Sequence, residues 1–499
     1  MNRSLLMPAL FASLSVGLAQ SAAQPLALTP EQAVTRLLTA SEIQEGWFAP
    51  ELLQQVPFVA LQAQFGSLHE SYGTFQRLER RGGVQVAVFT GGTLALGLTL
   101  DAQGRFVTLG LTPLNAAEPP APTLTAEQQQ LGREVLTRLL TSDPLDTSLL
   151  SADFLAAVPA EQLSDTFAAF RSQLGAFREV QPTAQAWQLV YERGAVPVIL
   201  LTFDKAGKID GLRVGPVVPR FTSLEEARAA FAALPGRVSL LVQEVGGPVL
   251  SSLNTSRPLA VGSTFKLAVL GEVQAQVQAG QLRWDEELTL TEAARSLPSG
   301  ALALADAGSR YTVRDLANRM ISQSDNTATD LLLARVGRVG VEARLGQSAM
   351  PDTRELFALK NPANRELLTA YRAAGLNRDA RRAVLAQARS APLPTAETFG
   401  AGPVAADVEW FVSTPRLCTL MRDVAADPAT SINPGVADKN DFTRVSYKGG
   451  SEPGVLNLTT QVTTRAGKTY CVSATWNDAQ ALDDASFMGL YGGVLSLLR

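Results

Sequence analysis

The chain has 499 residues, 46% of them hydrophobic and 18% charged, with 43 Lys and Arg against 47 Asp and Glu. That composition suits about two to four globular domains, and its near-balanced charge excludes an electrostatic nucleic-acid footprint. A single histidine, His69, excludes a histidine-rich zinc site and leaves a Ser-His-Asp triad no other imidazole.

The N-terminus reads as a signal peptide over 1–23. Arg3 is its positive end, Leu5 to Leu18 its short apolar run, and Ser21-Ala22-Ala23 its small-residue cleavage site. The run is too short to span a bilayer, and no later segment approaches a membrane span. The mature protein is expected to begin near Gln24 and to be exported, periplasmic or secreted, with no stable membrane insertion.

Residues 24–112 and 124–219 read as two copies of one unit. Thr35 to Thr39 and Thr137 to Thr141 are both TRLLT, and Val56-Pro57 recurs as Val158-Pro159, each a shift of 102. Asp101 with Gly104 recurs as Asp204 with Gly207, a shift of 103. Each copy opens with helical pattern (Glu31 to Leu38; Glu127 to Leu140). Each closes with alternating strands (Gln85 to Leu100; Trp187 to Phe203), and the Asp-to-Gly pairs read as hairpin turns. Between them, 113–123 holds Pro113, Pro119, Pro120 and Pro122 and is expected to be extended. His69 reads as a surface or packing residue of the first copy, and neither copy carries a convergent set of acids, histidines or cysteines.

From 220 onward, Ser223 and Glu226 form a candidate capping box for a helix through Leu234. Arg237 to Glu244 and Pro248 to Leu253 read as a hairpin. Next comes Pro258 to Val273, apolar on nearly all sides and so expected to be a buried helix. It carries Ser263 and Lys266 three apart, on one helical face. A buried ammonium is costly, and burial with a second cation nearby would push Lys266 toward its neutral form. A neutral amine beside a hydroxyl can take its proton and make it a nucleophile. Beyond a mainly helical middle, Val455 to Thr464 and Lys468 to Trp476 read as strands, and Asp484 to Leu498 as the last helix. Strands at both ends of this region imply one antiparallel sheet flanked by helices. Cys418 and Cys471 have no metal-ligand spacing; a disulfide and two buried thiols are both open.

Two further fragments accompany Ser263 and Lys266. Ser324, Asp325 and Asn326 stand in ISQSDNTATDLLL, and Lys448, Gly449 and Gly450 in YKGGSEPG at the start of a strand. Together and in this order, the three fragments make the chain from 220 to 499 resemble the class A β-lactamases among the penicillin-recognising serine hydrolases. The resemblance implies an α+β fold, with a β-lactamase-like domain behind two small α+β units. Those units, by their helix-then-sheet order, resemble NTF2-like domains. It implies that Ser263 is acylated, that Lys266 is its base or proton relay, and that Ser324 passes a proton to the departing nitrogen. Asn326 would bind the substrate amide and hold Lys266. Lys448 would attract a substrate carboxylate and help depress Lys266. Gly450 would let substrate lie against the strand edge, the backbone N–H groups of Ser263 and Ser451 would form the oxyanion hole, and Asp325 would be structural. No cofactor and no metal are implied.

Two departures from the family pattern stand out. Gly449 replaces a Thr or Ser, removing a hydroxyl for the substrate carboxylate. The family's deacylating Glu is also missing: 36 positions beyond Ser324 stands Lys360, with Asn364 four further on. Glu355 or Glu366 would substitute if the loop is shifted; the preferred reading is that both are solvated surface acids. The expected function is therefore hydrolysis through an acyl-Ser263 intermediate of β-lactams or related amides and esters, with slow deacylation. A D-Ala-D-Ala carboxypeptidase-like enzyme and a non-catalytic binder of peptidoglycan fragments are the alternatives.

Overall fold

The computed structural model describes residues 28–81, 84–113, 125–183, 186–297, 299–399 and 402–499. The expected signal peptide and nearly all of the Pro-rich linker lie outside the described residues.

The first unit runs from helices Pro30–Thr39, Pro50–Gln55 and Phe58–Tyr72 into a four-stranded antiparallel sheet: Phe75–Arg81, Val84–Phe89, Gly92–Leu100 and Phe106–Pro113. The second repeats that order, with helices Ala126–Thr141, Ala152–Ala157 and Ala160–Leu174 ahead of strands Phe177–Pro182, Trp187–Tyr191, Gly194–Phe203 and Ile209–Val214. The repetition extends to single hydrogen bonds. Gly104 N donates to Asp101 O and Gly207 N to Asp204 O, both at 3.0 Å, so the two Asp-to-Gly segments close the same turn. Val56 N donates to Leu52 O and Val158 N to Phe154 O, both at 2.8 Å. Each unit buries its own core, around Leu37, Phe48, Phe65 and Phe106 in one, and around Leu139, Phe154, Phe167 and Trp187 in the other. His69 lies on the Phe58–Tyr72 helix; its side chain is outside the described ones.

After the short strand Val218–Pro219 the chain enters an α+β domain. Its five-stranded sheet has the order Val249–Leu253, Arg237–Glu244, Thr469–Asn477, Val455–Thr464, Phe442–Glu452, antiparallel throughout. Strands from the two ends of the domain thus pair directly, Leu240 facing Ala474 and Leu241 facing Ser473. One face packs on the helices Leu224–Ala232 and Asp484–Ser496 through Phe231, Phe487, Tyr491 and Val494. A second, larger core lies within the helical region, around Phe265, Leu267, Leu270, Leu316, Met320, Leu332 and Leu359.

Local details differ from the expectations. Ser223 caps its helix by accepting from Glu226 N at 3.2 Å, but the Glu226 carboxylate goes to Thr222 N and Oγ1 instead of returning to Ser223, so the capping box is half-formed. Of the two readings for the cysteines the disulfide holds: Cys418 on helix Thr414–Val424 is joined to Cys471 on strand Thr469–Asn477. No helix among the described residues is long and apolar enough to cross a membrane.

Candidate active site

The Ser263 segment does not begin as an α-helix. Gly262–Phe265 forms a 3-10 turn, and the α-helix proper starts at Lys266 and runs to Gln278. Positions i and i+3 eclipse in a 3-10 turn, so Ser263 and Lys266 still project to one side. The turn is held by apolar anchors. Phe265 is fully buried and stacks on Trp410, ring centroids 3.8 Å apart, and Val261 N donates to Trp410 O at 3.0 Å.

Lys266 is fully buried. Its Nζ donates to Ser324 O, to Asn326 Oδ1 at 2.7 Å and toward Ser324 Oγ at 3.3 Å. Lys448 Nζ, arriving from the sheet, donates to the same Ser324 Oγ at 3.0 Å and to Gly449 O. Two lysines 182 positions apart in the sequence thus meet at one serine hydroxyl. Burial pulls the Lys266 amine down to about 7, against the opposing pull of Asp325, Asp330 and Glu452. Burial, and then the charge of Lys266, push Lys448 well below the ordinary lysine range. Like-charge repulsion between the two ammonium groups is mutual, and desolvation is the leading cause at both lysines. A neutral Lys266 fits its surroundings: two N–H groups serve Ser324 O and Asn326 Oδ1, and a lone pair is left over to accept a proton.

Ser324 takes a backbone conformation rare for a non-glycine residue, φ +59°. Its neighbour explains how that is held. Asp325, fully buried, caps helix Asn326–Val336 by accepting from Ala328 N at 2.8 Å, and its other oxygen accepts from Leu302 N at 2.8 Å. Asp325 is therefore structural. Asp325→Ala is expected to lower unfolding free energy by roughly 2 kcal/mol or more, since a cap is lost and two buried N–H groups are orphaned; chemical denaturation measures it.

The strand Phe442–Glu452 approaches the Ser263 turn at Gly450. A Cβ built there would lie 2.1 Å from Val261 O, 2.6 Å from Ser263 N and 2.7 Å from Thr264 N. The expected reason for this glycine was space for substrate; the structure adds an intramolecular one, the turn itself. Across the same seam, a Cβ on Gly262 would come within 3.2 Å of Ser451 N. The Ser263 and Ser451 segments are thus neighbours, as a shared oxyanion site requires. Gly449 also has a local cause: a Cβ there would meet the Tyr447 hydroxyl at 2.2 Å. Ser451 and Glu452 line a cavity of about 630 Å³ with Phe399, Gly402, Pro403 and Leu482.

The sequence reading of the nearby acids needs correction. Glu355 is not a solvated surface acid. It is buried, it closes a capping box with Asp352, and both its oxygens accept from Arg338, at 2.6 and 2.7 Å. Those bonds commit it to the fold. Glu366 is exposed, as expected. Lys360 is buried and paired with Glu409 and Glu452, a cluster sequence reasoning missed because its three members come from separate segments. No group of three or more His, Cys, Asp and Glu among the described residues could hold a metal ion.

Residues 223–388 match the family described as Beta-lactamase enzyme family. The C-terminal domain is β-lactamase-like. Among solved structures, a β-lactamase from Sphaerobacter thermophilus is 20% identical, with 55% of this chain and 97% of that one covered and a TM-score of 0.40. A β-lactamase from Xanthomonas campestris is 16% identical, with 56% and 100% covered and a TM-score of 0.39. A mutant of the class A β-lactamase of the last common ancestor of Gram-negative bacteria is 17% identical, with 55% and 97% covered and a TM-score of 0.38. Each of these solved chains is matched over a little over half of this chain.

Proposed function

We propose that the protein is an exported serine hydrolase that forms an acyl-enzyme at Ser263, with β-lactams or related amides and esters as substrates. The observation that carries the reading is the meeting of the Lys266 and Lys448 amines at the Ser324 hydroxyl, Lys266 itself standing one turn along the chain from Ser263. Neutral Lys266 takes the Ser263 proton as Oγ attacks the carbonyl. The proton moves to the Ser324 hydroxyl, which releases its own to the departing nitrogen. The Ser263 and Ser451 N–H groups receive the oxyanion, and Asn326 holds Lys266 and meets the substrate amide. Burial disfavours the charged form of Lys448 in the free enzyme, and an anionic substrate carboxylate entering beside it favours that form. Without a hydroxyl at Gly449 that carboxylate is held less tightly, which counts against a carboxypeptidase acting on D-Ala-D-Ala. Export is supported by the residues of 1–23 and by the disulfide, a bond of oxidising compartments. The repeated units serve as spacer or binding modules in this reading.

Intact mass after incubation with a penicillin tests it. The wild-type chain is expected to gain the mass of one penicillin, located on Ser263 after digestion, and Ser263→Ala to gain none. An unmodified wild-type chain, or an equally modified variant, would remove the acyl-Ser263 reading.

A further inference from the structure

We propose that Glu452, held against Lys360 and Glu409, is the base that deprotonates the water clearing the acyl group from Ser263. This rests on the acyl-Ser263 reading above.

Three placements carry it. Side chains alternate along a strand, and the pairing of Phe442–Glu452 with its neighbour is regular from Arg444 to Glu452. Lys448, Gly450 and Glu452 therefore share one face. Lys448 reaches Ser324 from it, and Gly450 abuts Ser263 N. Glu452 continues the row past the nucleophile's turn. Second, the position where the family's deacylating carboxylate would stand holds Lys360, an ammonium that cannot accept a proton, and this ammonium binds Glu452. In this chain a carboxylate supplied by the strand is held by that lysine. Third, Glu452 and Ser451 line the same cavity. The Glu452 side chain retains 13% exposure while Glu409 has none, so of the two acids Glu452 is the one water reaches.

A structural ion pair needs one carboxylate per ammonium, and here there are two. Among the described residues, Glu409 Oε2 is buried without a hydrogen-bond partner; a proton carried by Glu452, in hydrogen-bond reach of Glu409, supplies one. Two carboxyls sharing a proton beside a reactive serine is an arrangement whose cost in stability is characteristic of functional sites. The step balances. Water oxygen bonds to the acyl carbon as one of its protons passes to Glu452. The intermediate collapses with cleavage of the C–Oγ bond, and Oγ takes up a proton. Water's two hydrogens end on the product acid and on Ser263, and Glu452 returns to its starting state.

Burial, and then the negative charge of Glu409, push the Glu452 carboxyl up to about 8, while Lys360 pulls it down. The charged groups facing it are Lys360, Glu409, across the site Lys266, and, lining the same cavity from the last helix, Asp484. The base form grows as pH rises through about 8, so deacylation is slow near neutrality and quickens toward pH 9.

The test follows loss of the penicillin adduct by intact mass after removal of free penicillin, between pH 6 and 9. Glu452→Gln is expected to acylate and then hold the adduct about 100-fold longer than wild type at pH 9, with the pH dependence gone. Decay within twofold of wild type would overturn the proposal, as would a wild-type adduct that persists for hours at pH 9. If the variant does not fold, Glu452→Asp decides by setting the carboxylate back one methylene: an adduct lifetime within twofold of wild type overturns the proposal, one at least about tenfold longer supports it. A wild-type chain that never forms the adduct removes the acyl-Ser263 reading itself; an adduct with an unchanged lifetime in Glu452→Gln removes only the role of Glu452.

Discussion

Lys266→Met is expected to slow acylation of Ser263 by at least about 10³-fold, the scale of losing a positioned base together with the activation it gives a weak nucleophile. Methionine fills nearly the same buried volume, so the core around Leu267 and Leu270 stays packed. The variant orphans Asn326 Oδ1, while Ser324 O keeps the hydrogen bond from the Ser299 hydroxyl; the loss costs on the order of 1–3 kcal/mol in stability, far less than the catalytic loss. The pH dependence separates the two effects. As a base Lys266 acts in its neutral form, and with its amine near 7 that fraction grows as pH rises through 7. Wild-type acylation should therefore climb tenfold per pH unit below 7 and level off above it, while Lys266→Met should be flat. Stopped-flow acylation with a chromogenic cephalosporin reads both. A variant within tenfold of wild type would leave Lys266 no role as base.

The second large effect is expected at Gly450. Gly450→Val would place a branched carbon against Val261 O, Ser263 N and Thr264 N, all backbone atoms that no side-chain rotation can move aside. The strand must retreat or the Ser263 turn must shift. The expected result is a loss of about 2–3 kcal/mol in unfolding free energy together with acylation reduced at least about 100-fold, because a 1 Å displacement of a nucleophile is that costly. Gly449→Ala is the matched control. Its Cβ meets the Tyr447 hydroxyl, the far end of a side chain, so a smaller loss is expected. Denaturant midpoints and acylation rates of the two variants, measured together, distinguish crowding of the turn from crowding of the strand. Equal behaviour would contradict the steric account.

Much of this was legible in the sequence, because the deciding features are local. The hairpin Arg237–Glu244 to Val249–Leu253, the late strands and the last helix announce themselves by periodicity. The turns at Asp101 and Asp204 show themselves by repetition. Ser263, Lys266, Ser324 and Lys448 were recognisable as fragments with a fixed order. What the sequence did not disclose depends on distant partners. The burial of Glu355 needs Arg338, and the Lys360 cluster needs Glu409 and Glu452, 49 and 92 positions away. Nothing in the spacing of Cys418 and Cys471 chooses between a disulfide and two thiols; that rests on a helix crossing a strand. The carboxylates that oppose the desolvation of Lys266, Asp330 and Glu452 among them, were also out of reach, since they come from separate segments.

The stack of Trp410 on Phe265 has a practical side. One of the five tryptophans of the chain lies flat against the ring two residues from the nucleophile and adjoins Glu409 in sequence. Its indole is thus an optical probe already installed at the centre, sensitive both to movement of the Ser263 turn and to charge in the Lys360 cluster. Emission from that ring is expected to change when Ser263 is acylated, with Trp410→Phe as the blank that isolates the signal.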